Sequence, residues 1–439
     1  MQDTAPALAI PGTEKVPPSP LKRAIAAGVI GHFVEWYDYG VYAYVATYLA
    51  SAFFADSSLL PVFATFAVAF FARPFGGLVF GYIGDRVGRQ RCLAAVVVLM
   101  SLATFAIGVL PTFAQIGVLA PALLLLCRVL QGLSAGGEIA GASSFINEYA
   151  PDGRRGLLSS LLPAASACGL LFGSVLMLYL NANYSREFMG NWGWRIPFLI
   201  ALPLGMAGLY LRTRVEDTPL FRELLEKKGA DPSPLRSSLQ KQSRWIAVAF
   251  GATLTYGVGF YTVLSYMPSY LRTVVGFKSD EVFSVTAVIL IAHIVALPIW
   301  GALSDRIGRR PVIIGASLAL VCLTYPAFRL IAESGSLATA MLSGAVLSVS
   351  IAAGAAPLFA YMAEMFPTSV RASSISIGYN ASVMLFGGTA PYIATYLIDS
   401  TQNPLAPSFY LMAAAAGAAI TLSLAPCDKA GHRAALRRD

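Results

Sequence analysis

One apolar stretch of this 439-residue chain holds two carboxylates three residues apart, in Gly31-His32-Phe33-Val34-Glu35-Trp36-Tyr37-Asp38-Tyr39. At about 100° per helical residue, Glu35, Asp38 and Tyr42 fall within roughly 60° of arc, with His32 near the same side. An ionised side chain facing lipid at a helix centre costs about 2.5–3.5 kcal/mol. Both acids are therefore expected to face protein or a wet cavity. Burial disfavours the charged form of a carboxyl, which suits a group that loads and unloads a proton. A second stretch carries Arg128-x-x-Gln131-Gly132-x-x-x-Gly136-Gly137-Glu138, with Arg128, Gln131 and Glu138 on one helical stripe. Arginine does not deprotonate, so Arg128 needs Asp38, Glu35 or an anionic ligand. Gly132 and Gly136 offer a smooth face for close helix packing. Arg73-Pro74-x-Gly76-Gly77 adds a third buried charge at a place where the helix can bend. Trp36, Tyr42, Tyr256 and Phe260, with Tyr261, suit either a cavity wall or ordinary packing. His293 reads as an interior histidine with its polar atoms satisfied.

These groups need elements to hold them, and the elements repeat. Gly81-x-x-x-Asp85-Arg86-x-Gly88-Arg89 recurs as Gly301-x-x-x-Asp305-Arg306-x-Gly308-Arg309, 220 residues on. Glu148-x-x-Pro151-x-x-x-Arg155 recurs as Glu364-x-x-Pro367-x-x-x-Arg371, at an offset of 216. Two unrelated motifs at one spacing mean two copies of one structural unit, the mark of a transporter whose halves rock about a central site. The loops place Asp85, Arg86, Arg89, Asp305, Arg306, Arg309, Glu148, Glu364 and Arg371 at span ends. There, contacts made in one conformation and broken in another form a gate.

Hydrophobic residues make up 56% of the chain and charged residues 12%, against roughly 25% charged in a soluble domain. Twelve apolar runs, from about 24–52 to 408–426, approach or exceed the roughly 20 residues that span a bilayer. The expected fold is all-α: twelve transmembrane helices in two six-helix bundles, 22–211 and 245–426. A central loop at 212–244 divides them, a disordered tail covers 1–21 and a short tail covers 427–439. Pro232 and Pro234 argue against one long helix in the loop. An even number of spans puts both termini on one side. Of the 31 Lys and Arg, 24 then fall on that side, two lie within spans, and five fall opposite: Arg186, Arg195, Arg272, Lys278 and Arg329. The positive-inside rule makes the basic side cytoplasmic. The net charge of +8 thus reports topology, and no nucleic-acid partner is expected.

Residues 1–20 lack the pattern of a cleavable signal peptide. Five Cys without CxxC, and His at 32, 293 and 432, give no disulfide framework or metal site. No GxxxxGK[ST] occurs, so no nucleotide is expected. No cofactor is expected beyond the proton as coupling ion, and a monomer is sufficient.

The residues that carry these readings resemble the major facilitator superfamily, in its metabolite:proton symporter branch. The marks are Glu35-Trp36-Tyr37-Asp38, Arg73-Pro74-Phe75-Gly76-Gly77, both Asp-Arg-x-Gly-Arg loops and Gln131-Gly132 with Gly136-Gly137-Glu138. Trp192-Gly193-Trp194-Arg195-Ile196-Pro197-Phe198, Glu216-Asp217-Thr218-Pro219-Leu220-Phe221 and Met365-Phe366-Pro367 extend the match over about 22–426. The resemblance implies a central site and coupling to proton entry across a bacterial plasma membrane. Ala201-Leu202-Pro203-Leu204-Gly205, Tyr266-Met267-Pro268-Ser269-Tyr270-Leu271 and Ser400-Thr401-Gln402-Asn403 are similar to the proline/glycine-betaine group. Osmosensing members of that group carry a coiled-coil tail. Here Cys427–Asp439 alone follow the last span, so control by that device is not expected. His32 stands where the branch commonly has Asn. Arg128 and Phe386-Gly387-Gly388-Thr389-Ala390-Pro391 look more like the oxoglutarate and citrate carriers.

The expected activity is proton-coupled import of a small polar metabolite. Glu35, Asp38 and Glu138 are the coupling candidates. Arg128, Gln131, Arg73, Trp36, Tyr42, Tyr256 and Phe260 are the substrate candidates. Three acids against two arginines sum to −1, which disfavours a polyanion and favours a zwitterion such as proline or betaine. Di- and tricarboxylates are the alternative. A drug:proton exporter is a further one, although Pro163-Ala164-Ala165-Ser166-Ala167-Cys168-Gly169 lacks the Gly-Pro-x-x-Gly-Gly of such exporters. A non-transporting sensor would need a signalling domain larger than any hydrophilic segment here.

Overall fold

The computed structural model describes residues 18–87, 89–136, 150–151, 153–213, 234–367 and 370–426, and leaves aside the side chains of 18–28, 78, 81–93, 211–237 and 372. Glu138 and Glu148 lie outside the described residues, as do the side chains of Asp85, Arg86 and Arg89. So do both tails up to residue 17 and from 427, and most of the central loop.

The chain is a bundle of twelve membrane-spanning helices. We number them α1 Pro18–Tyr44, α2 Leu59–Val87, α3 Arg89–Val109, α4 Leu119–Ala135, α5 Arg155–Asn183 and α6 Ile196–Thr213, then α7 Ser243–Ser265, α8 Ser279–Ile307, α9 Arg309–Ser334, α10 Leu337–Met365, α11 Ser373–Thr401 and α12 Ala406–Leu424. Eight of these are long and apolar enough to cross a membrane by the described residues alone, and shorter apolar stretches of α3 and α4 join them. In the central loop a helix begins at Pro234 and ends at Lys241, with proline at a first-turn position where its missing N–H costs nothing.

Backbone contact between helices requires small residues, and the glycines foreseen in α4 supply it. A Cβ on Gly132 would strike the Ala69 carbonyl of α2, and one on Gly136 would strike the Arg73 carbonyl. This close approach holds α2 against α4, and the guanidinium groups of Arg73 and Arg128 both lie over the Tyr39 ring of α1, at 4.8 and 5.4 Å from its centroid. α2 continues as a helix through Pro74. Three turns of the second half are wound as π-helix: Phe260–Ser265 at the end of α7, Leu271–Val275 in the segment that follows it, and Val383–Gly387 within α11. Such turns concentrate at functional sites, because they turn side chains out of the regular stripe.

The halves meet along α5 against α8 and α2 against α11. These two pairs exchange under the sequence repeat, since α8 is the second copy of α2 and α11 of α5. The interface therefore has an approximate twofold relation between its two seams.

Candidate functional site between the two halves

The acids of α1 are buried as their spacing required: Glu35 and Asp38 are each 1% exposed. They have different partners. Glu35 Oε1 lies 3.1 Å from Arg73 Nη2 of α2, and His32 Nδ1 lies 3.4 Å from Glu35 Oε2. The Trp36 indole N–H donates to His32 Nε2 at 3.1 Å. An indole only donates, so His32 Nε2 must be the acceptor and its ring proton sits on Nδ1, toward Glu35. The Arg73 guanidinium lies 4.8 Å from the Tyr39 ring centroid and 4.7 Å from that of Phe70.

Asp38 faces a second arginine. Neither Asp38 oxygen is hydrogen-bonded among the described residues. The charges acting on it are those of Arg128 and Glu35, with the Thr104 side chain of α3 beside it. Arg128 is fully buried and stacks 4.1 Å from the Tyr42 ring centroid and 5.0 Å from that of Phe66. Its Nη1 donates to Gln131 Oε1 at 2.7 Å, and Gln131 Nε2 donates to Thr104 Oγ1 at 2.6 Å. This chain of bonds fixes the guanidinium plane. Its Nε and Nη2 have no hydrogen-bond partner among the described residues.

An aromatic wall closes the layer across the interface. Trp36 meets Phe260 edge to face at 4.7 Å, and Tyr261 at 5.8 Å. Phe260 packs on Tyr256 at 5.3 Å. Tyr261 lies against Phe70 at 5.1 Å and Phe66 at 6.1 Å. A Cβ on Gly388 would land on the Phe70 ring, so this glycine of α11 is what admits Phe70 between α2 and α11.

The second Asp-Arg-x-Gly-Arg loop forms a latch between halves, on the face from which α1 starts and at which α12 ends. Asp305 accepts from Gly156 N at 2.9 Å and Leu157 N at 3.0 Å, the open backbone donors at the start of α5. Arg309 reaches Asp305 at 2.7 Å and Glu364 of α10 at 3.2 Å. Arg371 Nε donates to the Phe366 carbonyl at 3.2 Å. Arg306 is exposed and takes no part in this latch. The opposite end is bridged without ion pairs among the described residues. The Tyr44 hydroxyl donates to the Leu264 carbonyl at 3.2 Å and the Ser174 hydroxyl to the Phe283 carbonyl at 3.3 Å, while the Arg272 guanidinium lies 4.8 Å from the Tyr48 ring centroid.

Most of the sequence candidates are thus brought together: Glu35, Trp36, Asp38, Tyr42, Arg73, Arg128, Gln131, Tyr256 and Phe260 form one layer. Two details differ from the simplest reading. Glu35 is matched to Arg73 rather than to Arg128. The face of Tyr42 is already covered by Arg128, so this ring orients the arginine instead of offering a free surface. Phe66, Phe70 and Thr104 were missed. Phe66, Phe70 and Arg73 share one face of α2 at spacings of four and three, a signal that packing aromatics also give. His293 retains one buried ring nitrogen without a hydrogen-bond partner among the described residues, against the expectation that its polar atoms are satisfied.

A duplicated twelve-helix bundle, latched by ion pairs at one end and holding buried charges between its helices, has the architecture of a membrane transporter. The sequence matches the model of the sugar (and other) transporter family twice, over residues 24–241 and 234–431, and the chain belongs to that family within the major facilitator superfamily. The proline/betaine transporter of Salmonella typhimurium is 40% identical, over 91% of this chain and 82% of its own length. The glycine betaine/proline/ectoine/pipecolic acid transporter OusA of Dickeya dadantii is 38% identical, over 89% of this chain and 80% of its own. The xylose transporter XylE from E. coli, in a partially occluded inward-open conformation, shares the fold with a TM-score of 0.76 at 17% identity, over 94% of this chain and 99% of that one.

Proposed function

We propose that this transporter is a proton-coupled importer of a small zwitterionic solute of the proline or betaine class, in a bacterial plasma membrane with both termini cytoplasmic. The observation that carries the reading is the set of buried polar atoms left without hydrogen-bond partners in one layer. Among the described residues they are both Asp38 oxygens, Arg128 Nε and Nη2, and the Tyr261 hydroxyl. Buried polar groups are paired in the great majority of cases, so such a cluster calls for a ligand with charge of both signs. Glu35 and Arg73 offset each other. Among the described residues that leaves one acid, Asp38, and one guanidinium, Arg128. A solute carboxylate suits the free N–H groups of Arg128, and its cationic nitrogen suits Asp38 and the faces of Trp36 and Tyr261. The names of the relatives, proline/betaine transporters, support the same class.

Glu35 and Asp38 are the proposed proton carriers. Each stands beside an arginine, so substrate and proton compete for the same countercharges, which couples their movements. No cofactor enters this scheme, and a monomer suffices for it. The ends of the interface are proposed to open alternately, the latch at Asp305 and Arg309 being one gate. The side assignment rests on the 24-to-5 distribution of basic residues.

Uptake of radiolabelled solutes into proteoliposomes under an imposed proton gradient tests the reading. Accumulation of proline or betaine that collapses with the gradient is the expected result. Strong uptake of citrate or oxoglutarate, with proline and betaine neither entering nor competing, would overturn the substrate class. Gradient-driven expulsion would make the chain an exporter, and no flux of any solute would leave the sensor. An Ala230→Cys variant in intact cells should resist an impermeant thiol reagent; ready labelling from outside would reverse the sidedness.

A further inference from the structure

The sequence repeat places a second polar group opposite Arg73. Gly81 and Asp85 of α2 correspond to Gly301 and Asp305 of α8 at an offset of 220, and the same offset takes Arg73 to His293. His293 is fully buried. Its Nδ1 lies 3.0 Å from the Ser348 carbonyl of α10. A carbonyl only accepts, so Nδ1 carries the ring proton. The Ser348 hydroxyl in turn donates to the Ile289 carbonyl at 2.7 Å, which ties α10 to α8 and fixes the ring. No charged side chain among the described residues acts on this imidazole, and a buried cation without a counterion is disfavoured. The ring is therefore neutral, and Nε2 presents a lone pair. That atom is buried and has no hydrogen-bond partner among the described residues.

Its position is central. On α8, Phe283 meets Ser174 of α5 near one end of the interface. Asp305 meets Gly156 and Leu157 at the other. His293 lies between them. Its ring stands edge-on to Phe260 at 6.3 Å, and Phe260 is the ring that receives Trp36 from the first half.

We infer that His293 Nε2 accepts a hydrogen bond from an N–H donor on the transported solute, and so contributes selectively to recognition of solutes whose cationic nitrogen carries hydrogen. A secondary ammonium, as in proline, has such donors; a quaternary ammonium, as in betaine, has none. The inference rests on the zwitterion reading above. A site that hydrogen-bonds a substrate N–H distinguishes it from an analogue lacking one, because the acceptor is left unpaired with the analogue.

Two substitutions separate this role from a structural one. In His293→Asn the side-chain amide NH₂ takes the place of Nδ1–H toward Ser348, while the acceptor at Nε2 is removed. In His293→Gln the longer side chain returns an amide oxygen near the Nε2 position and gives up the Ser348 bond. The full chain in proteoliposomes, under an imposed proton gradient, is assayed with proline and with N,N-dimethylproline, which differ only at the nitrogen. The expected result for His293→Asn is a rise of about tenfold in KM for proline with the dimethyl analogue within about twofold. His293→Gln is expected to keep more of the proline affinity than Asn does. Equal losses for both solutes, or a Gln variant more damaged than Asn, would show that the histidine only joins α8 to α10. Unchanged kinetics in both variants would also overturn the inference. If the unsubstituted protein carries neither solute, the zwitterion reading fails and this assignment fails with it. If it carries both and the variants do not discriminate, the assignment alone fails.

Discussion

The two halves descend from one unit, yet their interiors differ. Among the described residues, the first half buries His32, Glu35, Asp38, Arg73 and Arg128, whereas the second buries only His293 of such side chains. The π-wound turns show the reverse bias, since all three described lie in the second half. What the copies retain is at the ends: the Asp-Arg-x-Gly-Arg loops and the Glu-x-x-Pro-x-x-x-Arg segments. End contacts serve the rocking motion, which needs both halves to be alike. The central site has no such need. One half can hold the charges while the other supplies aromatic surface and helix turns that yield.

The contrast is broken most severely at Arg128. Arg128→Gln removes the charge, the planar stack over Tyr42 and the fixed bond to Gln131. Removing one member of a buried, hydrogen-bonded charge set costs about 2–5 kcal/mol, so uptake at low substrate should fall by about 30-fold or more. Tyr256→Phe, in the second half, keeps the ring and should cost less than about fivefold on the scale of a single net hydrogen bond. Initial-rate uptake over a range of concentrations compares the two. Equal losses would remove the division of labour between halves.

The pair Glu35 and Arg73 gives the next effect. Glu35→Gln and Asp38→Asn should each abolish gradient-driven accumulation, while counterflow, which needs no net proton movement, survives better. Accumulation that stays normal in both would take these acids out of the coupling. Glu35→Gln also leaves Arg73 buried without its carboxylate, and single removals of this kind destabilise by about 3–5 kcal/mol. Adding Arg73→Gln should recover part of that loss in a thermal-unfolding assay, because contacting residues are not additive. A double variant as unstable as the sum of the singles would deny that the two form a unit.

Much of this layer was legible before any coordinates. The face shared by Glu35 and Asp38, the stripe from Arg128 to Gln131 and the packing of Gly132 and Gly136 all follow from helical periodicity, which is local. The matching of Glu35 to Arg73 was not legible, because it depends on the vertical register of α1 against α2, set by helix packing far along both chains. Phe66, Phe70 and Tyr261 were indistinct for another reason. In an all-apolar helix every face is hydrophobic, so an aromatic stripe carries no information about which face meets the other half. The unpartnered nitrogen of His293 depends on the Ser348 carbonyl of another helix, and no spacing within α8 reveals it.

At the ends, where the halves are alike, substitutions should alter rate rather than binding. Asp305→Asn weakens the hold on the first turn of α5 and on Arg309. A carboxylate at a helix start contributes about 0.3–1 kcal/mol, up to about 2 where partly buried. The maximal rate should change by about three- to thirtyfold, with KM within about twofold. A large rise in KM at an unchanged maximal rate would contradict a gate at this position.

The smallest effects test the likeness itself. Arg306 and Arg309 lie three residues apart in the same loop, yet Arg309 bonds Ser304, Asp305 and Glu364 whereas Arg306 is exposed. Arg309→Gln should therefore slow transport by about tenfold, within the range for breaking one member of a partly buried network. Arg306→Gln should stay within about twofold, as surface substitutions usually do. At the offset of 220, Arg86 corresponds to Arg306 and Arg89 to Arg309. If the loops of both halves work in the same way, Arg89→Gln slows transport and Arg86→Gln is nearly silent, measured as maximal uptake rate per protein at the membrane. The order reversed in the first half, with Arg86 the sensitive residue, would mean that the copies kept the motif but not the contacts. The latch between α5 and α8 would then have no mirror image between α2 and α11.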